Sequence, residues 1–155
     1  MNDFSLPNYQ ALLSTVIDSI DGMPLNQALE DRLNASFPPG SRIFKALNAA
    51  SLAGIASGDL CPHEAGGIKY GRALKALQGY SVDLVYMKNV VGPHHRHPRG
   101  EIDMIMPINN QAQFDQRDAG WLVYGPNSAH CPTVDGGEAL VLYLLPGGEI
   151  EFTRA

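Results

Sequence analysis

Apolar positions recur at helical spacing through the first third of the chain and gather into strand-length runs after it. Leu12, Leu13, Val16, Ile17 and Ile20 stand at i, i+1, i+4, i+5 and i+8, which places them on one face of a helix. Pro7 and Asn8 are start signals and Asp21-Gly22 is a stop. A second helix is expected from about Leu25, with Ala28, Leu29, Arg32 and Leu33, ending before Phe37-Pro38-Pro39-Gly40. Ser41 can cap a third, which carries Ile43, Phe44, Leu47, Ala50 and Leu52 and ends near Gly58. Stripes of this kind usually pack against a core. Residues 1–60 therefore read as an N-terminal helical segment used for packing or a dimer contact, without chemistry of its own.

From Gly66 the pattern changes. Glycine and proline become frequent and the apolar runs shorten. Strands are expected at Ile68–Ala76, Tyr80–Asn89, Glu101–Pro107, Ala112–Asp115, Gly120–Tyr124, Ala139–Leu145 and Glu149–Thr153. The breaks between them carry turn chemistry: Gly79, Asn109-Asn110, Asp118-Ala119-Gly120, Asp135-Gly136-Gly137 and Pro146-Gly147-Gly148. Short strands at regular spacing indicate a sandwich or barrel. The change near residue 60 reads as a change of layer within one domain spanning 1–155.

Composition narrows the function classes. With 45% hydrophobic and 17% charged residues the chain is globular. A formal net charge of −5 without a basic block argues against nucleic acid or an anionic membrane as partner. An anionic small substrate would need a local cationic anchor. The two cysteines, Cys61 and Cys131, form neither a disulfide framework nor a zinc knuckle, and a reducing cytoplasm is the expected compartment. Neither a signal peptide nor a transmembrane segment is expected.

Candidate chemistry lies in Gly92-Pro93-His94-His95-Arg96-His97-Pro98-Arg99-Gly100-Glu101, which holds three of the five histidines. In extended chain, residues two apart share a face. His95 and His97 therefore converge, while His94 and Arg96 point the other way. A turn at Pro98 and Gly100 can return Glu101 to the same side, and a second strand could add His130. Three imidazoles and a carboxylate suit a divalent first-row metal and leave positions open for substrate or water. Fe, Mn, Zn, Ni and Co all accept such a set. Each ligand imidazole also needs a partner for its second nitrogen.

The same run resembles the first motif of the cupin superfamily: a glycine, five variable positions, His-x-His, three or four residues, then Glu. Gly92 stands closer to His95 than that pattern has it. Gly120-Trp121-Leu122-Val123-Tyr124-Gly125-Pro126-Asn127-Ser128-Ala129-His130 is similar to the second motif, with Ser128 in place of a glycine and His130 one residue early. The resemblance covers roughly residues 66–153. It implies a mainly β fold with α, a cupin-like double-stranded β-helix (jelly-roll barrel) behind the helical segment, with a metal inside at His95, His97, Glu101 and His130. Cupins are commonly dimers, which makes a homodimer the expected assembly.

A narrower resemblance spans nearly the whole chain. Gly58-Asp59-Leu60-Cys61, Gly66-Gly67-Ile68-Lys69-Tyr70-Gly71-Arg72, the His-Pro-x-Gly-Glu-Ile run, Ala129-His130-Cys131-Pro132-Thr133-Val134 and Leu145-Pro146-Gly147-Gly148-Glu149-Ile150-Glu151 are similar to the bacterial 4-hydroxylaminobenzoate lyases. That family converts 4-hydroxylaminobenzoate to protocatechuate and ammonia in nitroaromatic breakdown. The implied substrate is a small aromatic carboxylate. A planar guanidinium suits such a carboxylate. Arg72 and Lys69 have opposite parity on the first expected strand, so one of them could face the barrel mouth, and Arg96 and Arg99 compete for the role. Arg72 is the expected anchor, and Glu101 could carry protons if it is not firmly ligated. Tyr70, Tyr86, Tyr124 and Trp121 could line an aromatic pocket or fill the core. Cys131 is expected to be buried and inert, and His63-Glu64 a loop. Two other function classes stay open: a metal-dependent oxygenase or isomerase on another small polar or aromatic compound, and a non-enzymatic module that binds a small ligand.

Overall fold

The computed structural model describes residues 4–109 and 111–153. Asn110, half of the expected Asn109-Asn110 turn, lies outside them. Among the described residues, the helices α1 (Leu6–Ser19), α2 (Gln27–Ser36) and α3 (Arg42–Ser57) lead into ten strands. All three helices start on a side-chain cap. Ser5, Asn26 and Ser41 accept from the backbone N–H three residues on, satisfying a donor the helix itself cannot pair. The first start therefore falls at Ser5, with Pro7 inside the first turn. Gly58 ends α3 in the left-handed region at φ 85°, where a Cβ would be strained.

The strands are β1 (His63–Ala65), β2 (Ile68–Leu77), β3 (Tyr80–Val91), β4 (His95–His97), β5 (Glu101–Pro107), β6 (Gln113–Phe114), β7 (Gly120–Tyr124), β8 (Ser128–His130), β9 (Thr133–Pro146) and β10 (Glu151–Phe152). All pair antiparallel. The larger sheet runs β1-β2-β3-β9-β5-β7, with β6 also on β9, and the smaller runs β10-β4-β8. This is the mainly β, two-sheet architecture expected of the chain. Two departures are informative. β9 is twice the expected length, because a bulge at the facing Lys88–Val90 stretch lets it pair on through the glycines at 136 and 137. His63 and Glu64, expected as loop, instead form β1 by pairing with Tyr70 and Lys69.

Strand parity splits the larger sheet into two apolar faces. Ile102, Met104 and Met106 of β5 and Leu140, Leu142 and Leu144 of β9 pack in one cluster with Tyr9, Leu13, Leu29, Leu33 and Leu47 of the helices. Ile105, Val141, Tyr143 and Leu145 belong to a second cluster on the opposite face. Strands buried on both sides need not alternate polar and apolar, and Glu101–Met106 is buried at every position. The helices thus cover one face and leave the other for the smaller sheet and the site.

The edge strand β7 is closed by side chains of α2. Asn34 brackets Trp121, accepting from its N–H (2.8 Å) and donating to its carbonyl (2.9 Å). Glu30 accepts from the N–H of Val123 (2.9 Å). These bonds satisfy edge groups that would otherwise invite another strand. Among the described residues no helix is long and apolar enough to cross a membrane. We expect Asn34→Ala to lower unfolding free energy by about 1–3 kcal/mol, the cost of unpaired backbone groups, read from the midpoint of urea denaturation.

Candidate metal centre

β4 and β8 are antiparallel neighbours, with His95 opposite His130. Parity puts the side chains of His95 and His97 inward, both buried. The alternate residues turn away. Arg96 pairs with Glu151 at 2.6 Å, and His94 Nδ1 lies 2.6 Å from Thr153 Oγ1. After His97 the chain reverses. The N–H of Gly100 donates to the His97 carbonyl (3.1 Å) at φ 87°, and a Cβ at Gly100 would lie 2.6 Å from the Tyr124 carbonyl. Only glycine tolerates both conditions. Glu101 then opens β5 with its side chain fully buried on the inner face. His95, His97, Glu101 and His130 each offer a ligand atom, and these atoms lie within 4.8 Å of one another.

The electrostatics follow from that convergence. His130 Nε2 stands 2.6 Å from Glu101 Oε1, His97 Nε2 stands 3.1 Å from the same oxygen, and the Nε2 atoms of His95 and His130 are 3.1 Å apart. Yet both Glu101 oxygens and both ring nitrogens of His97 are buried without a well-aligned hydrogen bond. Close approach without alignment is what donors aimed at a common third point give. Burial, and then the proximity of His97, lowers His95 to about 4, which keeps its lone pair free. Burial would also lower His130, but its hydrogen bond to Asp115 and its close contact with Glu101 outweigh that and raise it to about 9. A cation, whether proton or metal, therefore belongs at His130 Nε2. Burial alone would raise Glu101, but its contacts with His130, His97 and Asp103 bring it below the usual carboxylate range. Asp103, fully buried two residues on, is pushed well up by burial and by the charge of Glu101. This donor set fits a divalent transition metal.

Asp115 is the residue the sequence reading missed. Its Oδ2 accepts from His130 Nδ1 (2.7 Å) and from the Tyr124 hydroxyl (2.7 Å), and its Oδ1 accepts from the N–H of Thr133 (2.9 Å). It sits at φ 48° in a turn closed by mutual backbone bonds between Phe114 and Arg117. Asp115 fixes which His130 nitrogen faces the cluster. The need for such a partner was foreseeable, but no spacing marks which acid supplies it.

A cavity of about 580 Å³ opens beside His95 and His97, with Val85, Leu145 and Ile150 among its apolar walls. Of the competing cations, Arg72 lines it. Arg96 is paired as above, Arg99 faces Glu149 at 3.6 Å, and Lys69 lies over the Tyr86 ring at 5.5 Å. Arg72 is already engaged: Nε and Nη2 donate to Asp83 (2.8 and 3.0 Å), and Nη2 also donates to the Gly148 carbonyl (3.1 Å). Only its Nη1 edge is left for a ligand. The four aromatic residues separate. Tyr70 lines the cavity beside His63, Tyr124 lies against His130 with ring centroids 4.6 Å apart, Tyr86 bonds Glu138, and Trp121 donates to the Phe37 carbonyl (2.9 Å). Cys131 is partly exposed and not buried as expected, because it follows His130 at the end of a three-residue strand.

Residues 11–152 match the family model described as 4-hydroxylaminobenzoate lyase. A 4-hydroxylaminobenzoate lyase of Nocardioides sp. (strain LMS-CY) is 30% identical over 148 residues, covering 88% of each chain. One of Pseudomonas putida is 26% identical over 147 residues, covering 82% of this chain and 84% of that one. Among solved structures, an RmlC-like cupin protein from Ralstonia eutropha JMP134 is similar with a TM-score of 0.46 and 13% identity, over 58% of this chain and 62% of that one. The match thus spans less than two thirds of that structure.

Asp115→Asn should lower affinity for divalent metal by about 10–100-fold, the usual cost of losing a ligand's orienting carboxylate, measured by competition with a chelating dye. His94→Ala should leave that affinity unchanged.

Proposed function

The chain belongs to the 4-hydroxylaminobenzoate lyase family, a family of enzymes, and from that premise we propose that it converts 4-hydroxylaminobenzoate and water to protocatechuate and ammonia. The observation that carries this reading is the family match, which runs through the helical layer and all three ligand-bearing strands. His95, His97, Glu101 and His130 would hold a divalent transition metal, which when bound would supply Lewis acidity at the hydroxylamino oxygen. The substrate is a small aromatic carboxylate, and the cavity suits one, with apolar walls between a guanidinium edge and the histidines.

The chain's own groups divide the work. Arg72 receives the substrate carboxylate on its Nη1 edge, and Asp83 holds the guanidinium in place through the two bonds it accepts. The apolar walls keep the ring dry, which strengthens the charge contacts at both ends. Loss of the hydroxylamino oxygen as water leaves an electron-poor ring, and a second water adds beside the nitrogen. The proton that this water sheds would pass to Glu101 if that carboxylate is free of the metal. A third water then displaces the nitrogen as ammonia. One water is released and two are consumed, which balances the reaction.

Purified, metal-loaded protein given 4-hydroxylaminobenzoate should yield protocatechuate and ammonia in equal amounts. Chelation should abolish turnover, and adding Fe, Mn, Zn, Ni or Co one at a time should identify the metal that restores it. No turnover by fully loaded protein would overturn the reaction. Arg72→Met should reduce kcat/KM by about 10–100-fold, mostly through KM, as loss of a charged hydrogen bond predicts.

A further inference from the structure

Tyr143 lies on the cavity face of β9, opposite Asp83 on β3 and Asp103 on β5. It is 7% exposed, and what remains exposed belongs to the cavity wall. Buried phenols ordinarily find a protein partner. Tyr124 has Asp115 and Tyr86 has Glu138. Tyr143 differs from both. Among the described residues its hydroxyl has no hydrogen-bond partner, and burial first, then the nearby carboxyl groups, hold it well above its ordinary pKa. It stays protonated and keeps a donor to give.

Its place in the sheet says to what. Arg72, Asp83, Tyr143 and Asp103 form one row across β2, β3, β9 and β5. Directly paired strand residues are about 5 Å apart, so Tyr143 stands about 10 Å in from Arg72. Glu101 precedes Asp103 by two residues on the same face, one diagonal from Tyr143. A benzoate held at Arg72 therefore points its 4-substituent toward Tyr143 and the histidines.

We propose that Tyr143 is a catalytic residue whose hydroxyl donates a hydrogen bond to the substrate's 4-hydroxylamino group. The role rests on the substrate class proposed above. The donor stabilises the oxygen as the bond to nitrogen lengthens, and it stays a phenol throughout.

Tyr143→Phe keeps the ring and its edge contact with Phe114, at 6.2 Å between centroids. In metal-loaded protein it should lower kcat by about 100-fold, as expected for one donor aimed at developing charge, and raise KM by no more than about tenfold. Calorimetry of benzoate and 4-hydroxybenzoate tests the contact apart from turnover. Wild type should favour 4-hydroxybenzoate, and the variant should lose about tenfold of that preference. A variant that keeps the wild-type preference overturns the proposal, as does one that loses its metal, since the tyrosine would then act by assembling the site. If wild type binds both ligands but never turns over 4-hydroxylaminobenzoate, the reaction assigned above fails, and the binding preference alone decides for or against Tyr143.

Discussion

Much of this molecule follows from the cost of holding one carboxylate out of water. Glu101 has no exposed surface, and its side chain lies among apolar strands. An unpaired carboxylate there would cost several kcal/mol or would take up a proton. Three imidazoles around it change the balance, and Asp115 behind His130 fixes the direction of one of them. Burial and the charge of Glu101 push the Asp103 carboxyl well above its usual range. The charge state of the whole interior is set by where one strand begins.

That placement depends on parity. β5 turns Ile102, Met104 and Met106 to the helices and Glu101, Asp103 and Ile105 to the interior. A slip of one residue would put the carboxylates under the helices and the methionines in the cavity. Register is pinned from both sides, by pairing with β7 and β9 and by the Gly100 turn that admits no side chain. The same alternation in β9 brings Tyr143 inward. The site is therefore the inner half of a pattern whose outer half is the core.

This explains what the sequence made legible. His95, His97 and Glu101 could be chosen over His94 because period two and a Pro-Gly turn are local facts. The helices were legible for the same reason, with Ser41 and Gly58 marking α3 from both ends. Contacts made at long range were hidden. Asp115 reaches His130 only because a tight turn at positive φ folds back beneath it. Tyr143 lies in the run Ala139–Pro146, where eight consecutive buried residues erase the alternation that would reveal its face. β1 and β8 are too short for any period, and exist because a partner strand is already in place.

The N-terminal helices acquire a role from this arrangement. Small barrels ordinarily fill their interiors with side chains, and here the interior carries a cavity of about 580 Å³ and a cluster of ionisable groups. Close packing there is given up, and open volume inside a fold costs stability. The loss is offset outside the barrel. Tyr9, Leu13, Leu29, Leu33 and Leu47 cover the outer face of the same strands that carry Glu101 and Tyr143, and α2 seals the edge strand with Asn34 and Glu30. The helices supply no group to the cluster. By taking over the hydrophobic burial, they allow the inner face to be arranged for binding instead of packing.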